Sequence, residues 1–319
     1  MSKNLRIVFF GTPEIAAIEL SHLVKMGYNV VGVVTNIDKP QGRGKQLSSC
    51  EVKLVAEELG LNILQPKSMK DESFIHALKE LQADVFVVVA FRLMPKIVYS
   101  MPPLGTFNLH TSLLPEYRGA APINWAIING EKQTGITTFL LNDNIDCGEI
   151  LLREKIEITE YMTAGELYDI MAERGKKLIV DTLDILAGGN YTTIRQDLTT
   201  PTKPAPKIFK QDTYINWENT SENIRNFVRG LAPYPAAKAI FYDFDTQKEY
   251  EFKVFEVQLY NKLCKNNIGD MWIENKSNLL VQCLDGTVEL IDLQLNGKKR
   301  MLSVELIKGL RISGVLKKK

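Results

Sequence analysis

The front of the chain alternates two kinds of text. Residues 5–10 (LRIVFF) form a short, almost wholly apolar run closed by Gly11-Thr12-Pro13. Residues 14–26 then space their apolar side chains helically, at Ile15, Ile18, Leu23 and Val24, before Gly27 stops the pattern. An apolar run bounded by turn residues predicts a strand buried on both faces, and a 3.6-residue recurrence predicts an amphipathic helix. Strand text returns at 29–35 (NVVGVVT), 61–64 and 83–90 (ADVFVVVA), with helix text between at 52–59 and 73–81. Strands apolar on both faces that alternate with helices imply a parallel sheet covered on both sides.

Residues 106–110 read as the next strand, 120–129 as a helix after its loop, and 135–141 and 149–158 as further extended pieces. A long amphipathic helix over 163–186 ends at Gly188-Gly189. Residues 199–212 (TTPTKPAPKIFKQD) are rich in Pro, Thr and Lys and lack periodic apolar positions, which is linker composition. A short helix at 221–230 follows, then β-type runs at 239–242, 250–258, 279–284 and 287–293, separated by Asp, Asn and Gly turns. Such spacing predicts a small barrel or curled sheet. The expected architecture is therefore α/β. A Rossmann-like, doubly wound, mostly parallel sheet fills residues 1–198, a linker spans 199–212, and a small C-terminal β-barrel, OB-like, fills 213–319.

Composition changes this picture little. At 319 residues with 45% hydrophobic and 24% charged content, the chain has the make-up of a two-domain globular protein. No stretch approaches the roughly 18 apolar residues of a membrane span, and MSKNLRIVFFGTPE runs into strand text without a signal-peptide layout, so a cytoplasmic protein with no membrane partner is expected. Cys50, Cys147, Cys264 and Cys283 form no C-x-x-C pair and have no His at zinc-ligand spacing, so neither a disulfide framework nor a metal is expected. A net charge of +1 hides an asymmetry: 21 basic and 24 acidic residues up to 206, against 18 and 14 beyond. A mildly acidic front and a basic back fit a catalytic domain followed by one that meets a polyanion.

The chemistry concentrates at 108–122, NLHTSLLPEYRGAAP. Ligands gather at the carboxyl ends of the strands of such sheets, and residues two apart on a strand share a face. Asn108 and His110 would thus project side by side into the crevice, where an amide and an imidazole can steady a developing oxyanion while the imidazole handles a proton. A carboxylate is needed to fix the imidazole, and Asp146, after the next strand on the same side of the sheet, is the candidate. His22 and His76 fall in helix text and are expected to be ordinary side chains.

The run NLHTSLLPEYRGAAPINWAIINGEKQTGIT, with IDCGEIL downstream and FFGTPEIAA near the start, resembles the folate-dependent formyltransferases over essentially the whole chain. That resemblance implies that Asn108 and His110 polarise the formyl carbonyl of 10-formyltetrahydrofolate, the formyl donor, while Asp146 assists His110. It sets the folate against Phe91 and Leu93 and the turn Ser112, Leu113, Leu114 and Pro115. Where that family often has Ala-Tyr-Gly, this chain has Ala90-Phe91-Arg92. The resemblance further implies that the acceptor is initiator methionyl-tRNA, and a monomer is expected. The Gly-rich loop 38–46 would reach the RNA through Arg43 and Lys45, and the C-terminal barrel would present Lys298, Lys299 and Arg300 to phosphates.

Rival readings are a formyltransferase for another amine, such as a nucleotide-linked amino sugar or a purine-pathway glycinamide, a dinucleotide oxidoreductase, and a catalytically silent RNA-binding module. Gly11-Thr12-Pro13 is not G-x-G-x-x-G, and Thr35-Asn36 offers no ribose-binding acid at the end of the second strand, which counts against the oxidoreductase.

Overall fold

A computed structural model describes residues 2–41, 46–260, 266–308 and 314–317. The chain divides into two compact units. The first comprises Met1–Gly119, Thr134–Ile156 and Asp169–Pro204, and the second Ala120–Gln133, Glu157–Tyr168 and Ala205–Lys319. The chain therefore passes back and forth before 199–212, where the sequence suggested a single linker. The reason lies in side chains. In the second unit, helix α5 (Pro122–Ile128) meets α7 (Ser221–Leu231), with Asn124 Nδ2 donating to the Gly230 carbonyl at 2.7 Å. Arg225 pairs with Glu160 at 2.8 Å, and Arg229 donates to the carbonyls of Thr159 (3.3 Å) and Met162 (2.8 Å).

The first unit is built on β1 (Ile7–Gly11), β2 (Val30–Val34), β3 (Ile63–Leu64), β4 (Val85–Val89), β5 (Thr106–His110), β6 (Gln133–Leu140) and β7 (Ile150–Glu157). Their order across the sheet is β7-β6-β5-β4-β1-β2-β3. From β5 to β3 all neighbours run parallel, whereas β6 lies antiparallel to β5. β1 and β4 are buried at every position, as unbroken apolar text requires of a sheet covered on both faces.

Alternation sorts the two faces. Val8, Phe10, Val34, Phe86 and Val88 form one cluster with Phe74 and Leu78 of α3 (Glu72–Glu80) and with Val98 and Tyr99 of α4 (Lys96–Tyr99). Asn108 pairs in register with Val88, so Asn108 and His110 share that face. The opposite face meets α1 (Glu14–Lys25), which packs beside α2 (Glu51–Glu58), and α6 (Ala164–Gly188), where Gly175 leaves room for Leu109 and Glu19. Residues 39–41 and 46–48 pair as a short antiparallel stem, and the tip of that loop, with Arg43 and Lys45, lies outside the described residues.

In the second unit β8 (Ala237–Asp243), β9 (Lys248–Tyr260), β10 (Met271–Glu274), β11 (Asn278–Gln282), β12 (Thr287–Leu295) and β13 (Gly314–Leu316) line up as β10-β11-β12-β9-β8-β13. A bridge between Asp270 and Val315 joins the two ends of that path. The sheet thus curls on itself around Trp217, Leu231, Val254, Leu279, Val281, Leu290 and Leu293, and closure removes the exposed edges an open sheet would carry.

Glu19 on α1 is fully buried, and neither carboxylate oxygen has a hydrogen-bond partner among the described residues. Burial pushes its pKa up to about 9; Lys176 opposes the shift and Glu173 adds to it. The folded chain therefore keeps a proton that the unfolded chain releases above the ordinary carboxylate range. Stability is expected to fall as pH rises from about 5 towards 9, by on the order of 1 kcal/mol per pH unit from this group. Glu19→Gln keeps the shape and removes the titration. Calorimetric melting across that range should show the parent losing Tm relative to the variant.

Candidate active site

β5 carries Asn108 and His110 on the face that packs against α3 and α4, and its register with β6 sets His110 opposite Thr137 and Asn108 opposite Phe139. Because β6 runs the other way, its end lies level with Phe107. Asp146 therefore does not arrive from a strand ending beside His110, as the sequence suggested. It arrives on the return loop between β6 and β7, which folds back towards the ring. Tyr99 Oη donates to Asp143 Oδ1 at 2.5 Å and Lys96 lies 3.6 Å from the same carboxylate, tethering the outer part of the loop. Asp143 and Tyr99 shift in opposite directions through that bond: the Asp143 carboxyl is held below its usual range and the Tyr99 phenol pushed up to about 12. The loop closes at Gly148, where a Cβ would stand 1.6 Å from the Leu140 carbonyl oxygen.

Asp146 itself adopts a left-handed backbone, φ +53°, which costs a non-glycine residue about 1 kcal/mol or more. Its Oδ2 accepts the Gly119 N–H at 2.9 Å and stands 4.0 Å from His110 Nδ1. The other ring nitrogen, Nε2, lies 2.9 Å from the Tyr117 carbonyl. A carbonyl only accepts, so Nε2 carries the proton of that bond and Nδ1 faces the carboxylate. The ring is 6% exposed and meets the edge of Phe139 with centroids 6.5 Å apart. Asn108 Oδ1 is buried with no partner among the described residues. A half-turn of the amide exchanges Oδ1 and Nδ2, so this point can offer either an acceptor or an N–H.

The residues expected around a folate divide into two groups. Ser112 and Leu114 turn their side chains into the fold: Ser112 Oγ donates to the Glu116 carbonyl at 2.6 Å, and Leu114 packs with Phe139 and Ile150. Thr137 Oγ1 fixes that turn on β6, accepting from Leu114 N at 3.2 Å and donating to the Ser112 carbonyl at 2.6 Å. Leu113 and Pro115 are half-buried, Phe91 stands edge-on to Phe10, and Leu93 is 74% exposed. Arg92, the departure noted in the sequence, donates to the carbonyls of Pro66 (2.6 Å) and Lys67 (3.3 Å) and lies over the Phe91 ring at 5.7 Å. It pins the chain after β3 to the wall that carries Phe91.

In the second unit Lys298 and Lys299 are exposed. Arg300 is committed to Asp292, at 2.9 and 2.8 Å, and to the Phe255 ring, 4.1 Å from its centroid. Several participants had no signature in the sequence. The Tyr117 carbonyl and Gly119 N–H act through the backbone, Thr137 is one of several threonines on a strand, and Gln196 reaches the Asp146 loop from 50 residues downstream. Gly148, inside IDCGEIL, was the visible one.

The doubly wound sheet with its strand-end Asn-x-His lies within a stretch that matches the formyl transferases, a class of one-carbon transferases. The chain matches the formyl transferase family over residues 5–183 and the formyl transferase C-terminal domain over residues 207–311. It belongs to that family. Among curated relatives it is 44% identical over 311 residues to a methionyl-tRNA formyltransferase of Flavobacterium johnsoniae, covering 98% of each chain. It is 42% identical over 314 residues to one of Bacteroides thetaiotaomicron, covering 98% of this chain and 97% of that one. Among solved structures, a sugar 3N-formyl transferase superposes with a TM-score of 0.64 at 19% identity, over 92% of this chain and 99% of that one, a likeness of fold.

Gly148→Ala would drive a methyl group into the Leu140 carbonyl and force the loop off its path. It is expected to lower Tm and to cut catalytic turnover together, read by thermal melting alongside a transfer assay.

Proposed function

We infer that the chain transfers the formyl group of 10-formyltetrahydrofolate to the amino group of methionine on initiator methionyl-tRNA, supplying formylmethionyl-tRNA for translation initiation. The observation that carries the chemistry is the Oδ1 of Asn108, buried with no hydrogen-bond partner among the described residues, on the strand that carries His110, whose imidazole faces Asp146. A native fold rarely leaves such a group unsatisfied unless something from outside completes it. The family membership supplies the donor class, and full-length relatives at 42–44% identity that bear the methionyl-tRNA name favour the acceptor. A cytoplasmic location accords with a charged tRNA as substrate.

When bound, the folate supplies a formyl carbon and, as the acceptor amine attacks it, an oxygen that gains negative charge. Asn108 turns its N–H to that oxygen. In a buried site such a donor is worth far more than in water, because no solvent must reorganise as the charge appears. His110 Nδ1 takes the proton that the attacking amine gives up, and Asp146 Oδ2 steadies the resulting imidazolium. Meanwhile Nε2, tied to the Tyr117 carbonyl, holds the plane of the ring. Collapse then expels tetrahydrofolate with the proton returned to its nitrogen.

In a formylation assay with charged initiator tRNA and 10-formyltetrahydrofolate, Asn108→Ala is expected to lower kcat about 100- to 1,000-fold. His110→Ala should lower it about 100- to 10,000-fold. Transfer untouched by both changes would remove the chemistry, and activity on an amino sugar with none on tRNA would remove the acceptor. For the RNA, replacing both Lys298 and Lys299 by Ala should flatten the dependence of log binding on log salt by about 0.7 to 0.9 for each phosphate no longer neutralised. The folate KM should stay unchanged.

A further inference from the structure

Gln196 is 6% exposed and lies in the segment after α6. Its Nε2 donates to the carbonyls of Asp146 (2.9 Å) and Gly148 (2.7 Å). Its Oε1 accepts from Arg118 Nη2 at 2.7 Å and Nε at 3.2 Å, and the same Nε also donates to the Asp146 carbonyl at 3.2 Å. The amide orientation is forced: a guanidinium only donates, so the oxygen must face Arg118 and the NH2 must face the two carbonyls. The three bonds to carbonyls, two from Gln196 Nε2 and one from Arg118 Nε, end on the short stretch where the backbone turns left-handed at Asp146 and closes at Gly148, and the Arg118 guanidinium braces the Gln196 oxygen.

The segment that carries Gln196 is itself fixed. Ile194 and Ile150 exchange two backbone hydrogen bonds of 2.9 Å, and Thr193 Oγ1 donates to Glu149 Oε2 at 2.5 Å. Asp197 accepts from Thr199 N (2.8 Å), Thr199 Oγ1 (2.7 Å) and Thr200 Oγ1 (2.6 Å). Residues 193–200 thus form a strap across the start of β7, and Gln196 is the point at which the strap reaches the loop. The Gly119 N–H fixes where the Asp146 carboxylate points only once the Asp146 backbone has been turned to present it.

We propose that Gln196 is a positioning residue for formyl transfer: its amide holds Asp146 in the left-handed turn that aims the carboxylate at His110, so that turnover depends on Gln196 while substrate binding does not. This rests on Asp146 and His110 acting as the catalytic pair. Gln196→Ala deletes the amide. Gln196→Glu keeps its size and its partner Arg118 but sets a carboxylate oxygen against the carbonyls of Asp146 and Gly148, where two acceptors repel.

The test is a cycle of formylation kinetics on the full chain, with charged initiator tRNA and 10-formyltetrahydrofolate, for the parent, Gln196→Ala, Gln196→Glu, Asp146→Ala and Gln196→Ala combined with Asp146→Ala. In the parent background both Gln196 variants should lower kcat about 10- to 100-fold, the scale of an ångström of misplacement, with either KM changed less than about twofold. In the Asp146→Ala background, Gln196→Ala should cost less than about twofold more, because groups that act as a unit are lost together. Should the alanine variant fail to fold, the glutamate variant carries the same expectation. An unchanged kcat, a rise in KM alone, or an equal loss of kcat in both backgrounds overturns the proposal. If Asp146→Ala by itself leaves transfer intact, the assignment of the catalytic pair has failed, an outcome separate from failure of Gln196 alone.

Discussion

The direction of one strand governs the site. β6 runs against β5, so the chain leaves the sheet level with Phe107 rather than beside His110, and a carboxylate can reach the imidazole only by folding back. A return loop of this kind has to be held, because a carboxylate on a free loop would spend most of its time in water. The Tyr99 tether to Asp143, the Gly148 closure against Leu140 and the Gln196 amide all serve that single need. His110 meets the mirror requirement from the other side: with Nε2 bonded to the Tyr117 carbonyl, its ring cannot swing away from Asp146 without losing a buried hydrogen bond.

Much of the fold was legible because burial on both faces leaves an unambiguous mark. The runs at 83–90 and 5–10 read as doubly covered strands, and β4 and β1 are buried throughout. The pairing of Asn108 with His110 followed from strand parity alone. What could not be read was direction and distance. Periodicity is the same for parallel and antiparallel strands, so the return of Asp146 was reached by a route the sequence did not show. Lys96–Tyr99 is too short to leave a helical period, and Gln196 sits in polar text with nothing to single it out. The excursions of residues 120–133 and 157–168 into the second unit depend on Asn124, Glu160, Arg225 and Arg229 meeting partners far along the chain.

Positive charge illustrates the same limit. From sequence, Arg300 is a cation expected to meet phosphate, Arg92 a departure from the resembled family and Arg118 a cation within the 108–122 run. Each is engaged internally: Arg92 on the carbonyls after β3, Arg118 on Gln196 and the Asp146 carbonyl, Arg300 on Asp292 and Phe255. A planar guanidinium with several donors suits such joints, whereas a lysine ammonium is a compact, hydrated charge on a flexible stem. The exposed Lys298 and Lys299 therefore remain as the plainer candidates for meeting phosphate.

The interleaving of the two units bears on how such a chain can be cut or recombined. A fragment ending near residue 204 would keep segments 120–133 and 157–168 but lose what they are built around. Asn124 would have no Gly230 carbonyl, Glu160 no Arg225, and the carbonyls of Thr159 and Met162 no Arg229. The C-terminal portion is thus not an appendage that gene fusion could add or shed at one junction, and exchange with another domain would have to bring compatible partners for both inserted segments.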